Sequence, residues 1–441
     1  MHTYNDTFPD VVDAVVIGSG PAGSTAAIHL AEAGRSVLFL ERRTLPRFHI
    51  GESQLTYSAE LLRQMGLYDE VAAQGYPVKT GAEFITASGE FRRTDFSDQG
   101  AGRQASTFQV ERGHFDGFLA RKARDRGAHL IENALVRDLL LDDDGRVNGV
   151  RYEVDGQSRT VRAGWVLDAG GRASKTAQHF RTRQEISWLR NVAVYRHYRG
   201  LDERNNPACT GDIQIGGHED GWVWAIPIWP DTISIGAVMP SSVLRAGNSP
   251  TEVLEQHLER VPRIRQRVTA TIPDPRTQVE TDYCYYSDVL SGPGWIMAGD
   301  AGSFIDPIFS GGAFLAMVTG REAARTVDAA LDEPYRQEEL RQAYSDLYKT
   351  GYDSYTRLIS AYYESEYKLG KYLQEQGFAV EGDRWFAQML SGDFWSDLNP
   401  LTEWLRAQRR WDTFSSFEIV RECPVYPELD AAERAAWSAT A

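Results

Sequence analysis

Three features of this chain have residue types and spacing suited to chemistry: a glycine-rich turn, one lysine and a pair of tryptophans. Gly18-Ser-Gly20-Pro-Ala22-Gly23 joins a short apolar run to a segment of helical composition. Gly18 permits a tight turn, Gly20 lets a diphosphate approach the backbone, and Gly23 lets the helix pack on the strand. The helix N-terminus then faces the phosphates with its dipole. Glu41 ends the next apolar run, where an acid can bind a ribose hydroxyl, and Arg42 follows it. This pattern predicts a bound dinucleotide. Lys79, in Tyr76-Pro-Val-Lys79-Thr-Gly81, offers a compact N–H donor on a flexible stem. Burial would lower its pKa and make it an amine nucleophile; the plain alternative is a solvated surface lysine. Trp222, Trp224 and Ile226 alternate with Val223 and Ala225, so the first three share one face of a strand. On spacing alone they are packing residues.

The elements that must hold these residues follow from apolar periodicity. Asp13–Gly18 and Ser36–Glu41 read as buried parallel strands around a helix over Ser24–Glu32, which is the start of a doubly wound sheet. Phe108–Arg126 reads as a turn and a helix stopped at Gly127. Leu135–Leu140 and Val147–Val154 read as strands joined by a turn at Asp142–Gly145, and Trp165–Asp168 as a further buried strand. From about Asn191 short strands follow at turn spacing: Val192–Tyr198, Asp212–Ile215, Trp222–Ile228 and Thr232–Met239. They predict an antiparallel sheet. Trp295–Ala298 returns to a buried strand, a helix runs over Gly311–Leu331, and the aromatic-rich remainder from Tyr335 reads as helical. The expected fold is therefore α/β: a discontinuous nucleotide-binding domain (1–80, 105–185 and 280–335), an inserted antiparallel-sheet substrate domain (81–104 and 186–279), and a helical C-terminal region (336–441).

Composition narrows the partners. The chain has 441 residues, 42% apolar and 25% charged, as in soluble globular proteins. Its formal net charge of -15 argues against nucleic acid, which needs a basic face, and repels an acidic partner unless a local basic patch intervenes. Cys209, Cys284 and Cys423 lie far apart without metal-ligand spacing, so neither a metal site nor a disulfide framework is expected. The apolar runs are too short for a membrane helix, and Met1–Asp10 has no signal-peptide character. These features point to a reducing, cytoplasmic compartment and no membrane partner.

Further motifs carry a resemblance. Asp168-Ala-Gly170-Gly171-Arg-Ala-Ser174 and Gly299-Asp300-Ala-Gly-Ser-Phe-Ile-Asp-Pro307 resemble the two later motifs of the p-hydroxybenzoate hydroxylase-like flavoproteins. There Asp300 would bind the ribityl chain, Pro307 would lie against the flavin ring, and Arg112 would sit near the pyrophosphate. The cofactor so implied is FAD. The chain resembles, more closely, flavin-dependent halogenases of the group acting on phenols and carrier-tethered aromatic acyl groups. Arg47-Phe-His-Ile-Gly51-Glu52-Ser53 is similar to their loop beside the flavin, Tyr76–Gly81 to the segment bearing their essential lysine, and Gly221–Pro227 to their Trp-x-Trp-x-Ile-Pro motif. Asp306-Pro-Ile-Phe-Ser310-Gly311-Gly312-Ala313 is similar to the loop whose backbone amides hold halide.

The resemblance implies that reduced FAD, oxygen and chloride or bromide give a flavin hydroperoxide and then hypohalous acid. Lys79 would deliver the halogen to an electron-rich phenol- or pyrrole-like ring, free or on an acyl carrier protein, in natural-product biosynthesis. Trp222 and Trp224 would wall the organic substrate off from the flavin. Gly311, Gly312 and Ala313 would bind the halide. The lack of a second nucleotide motif implies a separate flavin reductase. One stretch departs from the family: its usual run is Ser-Ser-Gly-Val-His, and here it is Ser310-Gly311-Gly312-Ala313-Phe314. Two other readings stand beside this one, an FAD-dependent aromatic hydroxylase and a flavin-binding partner protein without its own chemistry.

Overall fold

The computed structural model describes residues 9–201, 211–246, 249–281, 284–378 and 382–440; Cys209 lies outside them. Four strands carry the nucleotide-type sheet at its centre. Val37–Leu40, Val11–Ile17, Gln157–Asp168 and Trp295–Met297 lie side by side and all parallel. Their register pairs Ile17 with both Leu40 and Asp168, and Asp168 with Met297. The residues just beyond these ends, Gly18, Glu41, Ala169 and Ala298, therefore share one edge, where open α/β sheets bind ligands. The Gln157–Asp168 strand is longer than its apolar end suggests. Its first half alternates in exposure and pairs antiparallel with Val147–Val154, so only the part buried on both faces reads as an apolar run.

The Pro21–Glu32 helix starts directly at the glycine turn, three residues before its apolar pattern becomes visible. Proline fits this first position because its φ is already helical and no N–H is needed there. This helix crosses the Gly311–Asp332 helix closely. A Cβ on Gly320 would lie 2.3 Å from the Ala22 carbonyl oxygen, and one on Gly23 would lie 1.8 Å from that of Gly18.

The second sheet runs in the order Ile272–Pro273, Asn191–Arg199, Thr232–Pro240, Gly221–Trp229, Ile213–His218, Gly81–Ile85, Phe91–Asp95. One neighbouring pair breaks the expected antiparallel pattern: Ile213–Gly216 runs parallel to Ala82–Ile85. The long chain segment between them makes that direction accessible. The sheet is covered on both sides. Trp222, Trp224 and Ile226 enter the main core. Val223 and Ala225 face a second cluster built with Val253, Leu254 and Leu258 of the Pro250–Glu259 helix. The Gln337–Glu364 helix, a shorter Gly382–Ser391 helix and the terminal Pro427–Thr440 helix form the C-terminal region. Among the described residues no helix is long and apolar enough to cross a membrane.

Candidate active site

At the strand ends, Gly18 has a φ of +90° and presses on the Ala169 carbonyl, which a Cβ would meet at 2.5 Å. Gly20 caps the Pro21–Glu32 helix without a side-chain hydrogen bond, and a Cβ there would meet only the Arg47 guanidinium, at 3.7 Å. The cradle over the helix N-terminus is therefore open. Glu41 is buried and accepts from the Ser19 amide at 3.0 Å and the Arg43 amide at 2.9 Å; Arg42 is exposed. Asp168, placed with the cofactor ligands by the sequence, spends its carboxylate on its own turn. It accepts from the Gly170 amide, the Ser174 hydroxyl and the Thr176 amide, each at 2.8 Å. These bonds shape the turn and occupy most of the roughly four lone-pair sites of the carboxylate.

Arg112 opens the Arg112–Asp125 helix and pairs with Asp116 through two hydrogen bonds, 2.9 and 3.1 Å. It also donates to the Ile50 carbonyl at 2.8 Å, which ties the loop of Glu52 and Ser53 to the helix. Burial alone would raise the Asp116 carboxyl; Arg112 outweighs it and holds that pKa down. Burial pushes Asp300 up to about 6 against the charges of Arg112 and Arg172. Glu52 binds the His197 ring nitrogen at 2.8 Å through one oxygen, and its other oxygen is buried without a partner. Burial lowers the His197 pKa, but Glu52 more than offsets this and raises it.

Lys79 is 2% exposed. Its ammonium donates to the Ser53 hydroxyl at 2.9 Å and the Gln54 carbonyl at 3.0 Å, and lies 5.3 Å from the centre of the Phe96 ring. Burial lowers its pKa to about 7, opposed only by the more distant charge of Asp212. Asp212 fixes the lysine's strand by accepting from the Thr80 and Gly81 amides, 2.9 and 2.8 Å, and by pairing with Arg93 at 2.7 Å. Lys79 lines a narrow cleft whose other walls are hydrocarbon, chiefly Phe84, Phe96, Ile213, Ile215 and Phe309, with Ser310 as the second polar residue.

Ser310 is the cap of the Gly311–Asp332 helix and adopts a left-handed conformation, φ 60°. That conformation is uncommon for a residue with a Cβ, and such strain collects at functional sites. The expected halide donors divide here. The Gly311 amide already donates to the Tyr355 hydroxyl at 3.0 Å, and the Tyr355 ring would meet a Cβ on Gly311 at 2.6 Å. Among the described residues, no protein group accepts from the Gly312 or Ala313 amide. Two of the three expected donors are thus open and one is taken. Pro307 and Gly312 are half-buried on the same loop. Phe314 turns away into a core of Tyr57, Phe394 and Trp395. The departure from the family's run is a packing device: Gly311 admits Tyr355, and Phe314 fills the core behind it.

Trp222 and Trp224 are buried, with ring centres 5.8 Å apart. Trp224 donates to the Ser234 hydroxyl at 3.2 Å, and Trp222 to the Tyr363 hydroxyl at 3.0 Å. Tyr363 in turn donates to the Asp306 carboxylate at 2.7 Å. A single chain of hydrogen bonds therefore links the tryptophan strand, the C-terminal helix and the Asp306–Ala313 loop. Burial raises the Asp306 pKa to about 6 although Tyr363, Asn191 and the Ile308 amide all lower it. Neither tryptophan lines the Lys79 cleft.

This geometry can be set beside known proteins. The FAD binding domain family matches residues 11–345. A 1H-pyrrole-2-carbonyl-(peptidyl-carrier protein) brominase of Pseudoalteromonas luteoviolacea (strain 2ta16) is 35% identical over 324 residues, 73% of this chain and 78% of its own. The chain belongs to the flavin-dependent halogenases. The tryptophan 2-halogenase of Chondromyces crocatus is 32% identical over 363 residues, 81% of the chain and 68% of its own. The flavin-dependent brominase Bmp2 superposes with a TM-score of 0.79 at 28% identity, covering 90% of this halogenase and 97% of Bmp2.

FAD is the halogenase's cofactor, and the residues present fit it. The helix N-terminus at Gly20 is uncapped and open to a diphosphate, and the Glu52 oxygen without a partner gives the loop beside it an acceptor to spare. Several residues that build the site escape a reading by motif. Tyr355, Tyr363, Asp212 and His197 act through partners far away in sequence. Only their partners lie in recognisable motifs: Gly311 and Asp306 in the loop before the Gly311–Asp332 helix, Trp222 on the tryptophan strand, Gly81 beside Lys79, and Glu52 in the loop of Ser53.

Proposed function

We propose that this enzyme uses FAD reduced by a separate flavin reductase, oxygen, and chloride or bromide to halogenate an electron-rich, phenol- or pyrrole-like ring. The reading rests above all on one observation: Lys79 and Ser310, which opens the Gly311 helix, line the same apolar cleft. Reduced FAD would activate oxygen, and oxygen supplies the oxidising equivalents that turn halide into hypohalous acid. The chain's own residues do the rest. The Gly312 and Ala313 amides at a helix N-terminus hold the halide without a cationic side chain. The cleft keeps water from hypohalous acid. Lys79, with its pKa brought to about 7 by burial, either donates a hydrogen bond to that acid or takes its halogen on nitrogen with loss of water. Halogen then passes to the ring carbon and the ring proton leaves. Trp222 and Trp224 serve as a wall, held by Ser234 and Tyr363.

The name of the pyrrole-carrier brominase supports a ring presented on a carrier protein, as part of natural-product assembly. The test supplies purified enzyme with FAD, a flavin reductase, NADH, halide, and phenols and pyrroles both free and carrier-bound. Products heavier by one halogen are expected. Products heavier only by oxygen would mean a hydroxylase instead.

A further inference from the structure

Around the Lys79 cleft three phenylalanines from three distant segments meet. Phe84 comes from the Gly81–Ile85 strand, Phe309 from the loop before Ser310, and Phe386 from the Gly382–Ser391 helix. Their ring centres lie 6.2 Å (Phe84–Phe309), 5.8 Å (Phe84–Phe386) and 6.3 Å (Phe309–Phe386) apart. Phe84 and Phe309 line the cleft directly, while Phe386 lies behind both and is half-buried. It stands one helical turn from Leu390, which also lines the cleft. The helix is pinned on the same side: Gln388 donates to the Gln99 carbonyl at 2.9 Å, and Arg92 pairs with Asp383. The space between these walls takes about one water-sized sphere, less than any arene needs. Apart from Lys79 and Ser310 the lining carries no side-chain polar group. Shape alone is therefore left to discriminate among rings.

We propose that Phe84, Phe309 and Phe386 form an aromatic gate that must part for substrate and discriminates by ring size, so that a single uncharged ring reaches Lys79 more readily than a fused bicyclic one. This rests on the reading of the Lys79 cleft as the halogenation site. Hydrocarbon walls discriminate by steric fit, and one methylene there is worth roughly 10- to 200-fold. Removing the benzyl group of Phe386 takes away the packing behind Phe84 and Phe309 and should let both rings recede without touching Lys79, Ser310 or the nucleotide edge.

The test compares phenol with 2-naphthol in the wild type, Phe386→Ala and Phe386→Trp. Two readouts are taken: kcat/KM in the reductase-coupled assay, and calorimetric dissociation constants, which need no turnover. Phe386→Ala should raise the naphthol-to-phenol preference by about tenfold or more, and Phe386→Trp should lower it. FAD affinity should stay the same in both. A preference within twofold of wild type in a folded, FAD-binding variant overturns the gate. If Phe386→Ala does not fold, the decision falls to Phe386→Trp by the same criterion. Shifted binding preference without any halogenated product would leave the gate standing and count against the Lys79 reading. Normal halogenation with an unshifted preference does the reverse.

Discussion

Lys79 is an amine surrounded by hydrocarbon, with a hydroxyl and a carbonyl as its hydrogen-bond partners. Its folded pKa of about 7 lies below the ordinary 10.5. Between those values the unfolded chain binds one more proton than the folded one, so this residue makes stability rise with pH from about 7 toward 10.5. Lys79→Met should therefore stabilise the protein at pH 6 by a few kcal/mol. Melting temperatures measured across that range would show the gain shrinking as pH rises; a gain independent of pH would contradict the buried amine. Tyr355 makes a second prediction. Tyr355→Phe takes away the hydroxyl that accepts from the buried Gly311 amide, which should cost about 1–3 kcal/mol, read from urea unfolding. FAD binding should survive, because Tyr355 touches the loop and not the nucleotide edge. The lysine was legible from its hexapeptide. Its acceptors, Ser53 and Gln54, belong to a segment joined to it only by the fold, so no local pattern announces them.

Helix pairs and strand ends carry the next scale. The Gly320 contact brings the Pro21–Glu32 helix against the Gly311–Asp332 helix, while Gly23 seats the first of them on its own strand turn, so the glycine turn and the Ser310 loop are built on one crossing. Gly320→Ala should push the Pro21–Glu32 helix off its strand and weaken FAD binding by tenfold or more, since overpacking a tight contact costs about 1–3 kcal/mol. Flavin fluorescence titration would measure it; unchanged affinity would show that the crossing is loose. The tyrosines of the Gln337–Glu364 helix belong here too. Tyr348 donates to the Gly299 carbonyl at 2.8 Å, Tyr355 to that of Asp306 at 3.2 Å, and Tyr363 to the Asp306 side chain. Their helical spacing was visible in the chain, yet spacing says only that they share a face. What they buttress is decided by packing across the whole chain. The nucleotide strands were legible because burial on both faces leaves continuous apolar runs. The parallel pairing of Ile213–Gly216 with Ala82–Ile85 was not, because pairing direction leaves no trace in composition.

On the scale of the whole molecule, the net charge of -15 sets how partners arrive. An acidic carrier protein would be repelled at long range, and salt would screen that repulsion within about 8 Å at physiological ionic strength. Halogenation of a carrier-bound ring should therefore quicken, in kcat/KM, as salt rises from 10 to roughly 150 mM, while a free phenol shows no such change. A fall with salt for the carrier substrate would reveal a basic docking patch instead. The most direct test of the halogenation site compares wild type with Lys79→Met under reductase-supplied reduced FAD, oxygen, bromide and a phenol, with arene products weighed by mass spectrometry. The variant should bind FAD and consume oxygen like the wild type yet yield no halogenated arene. Brominated phenol formed by Lys79→Met at the wild-type rate would contradict the role given to Lys79.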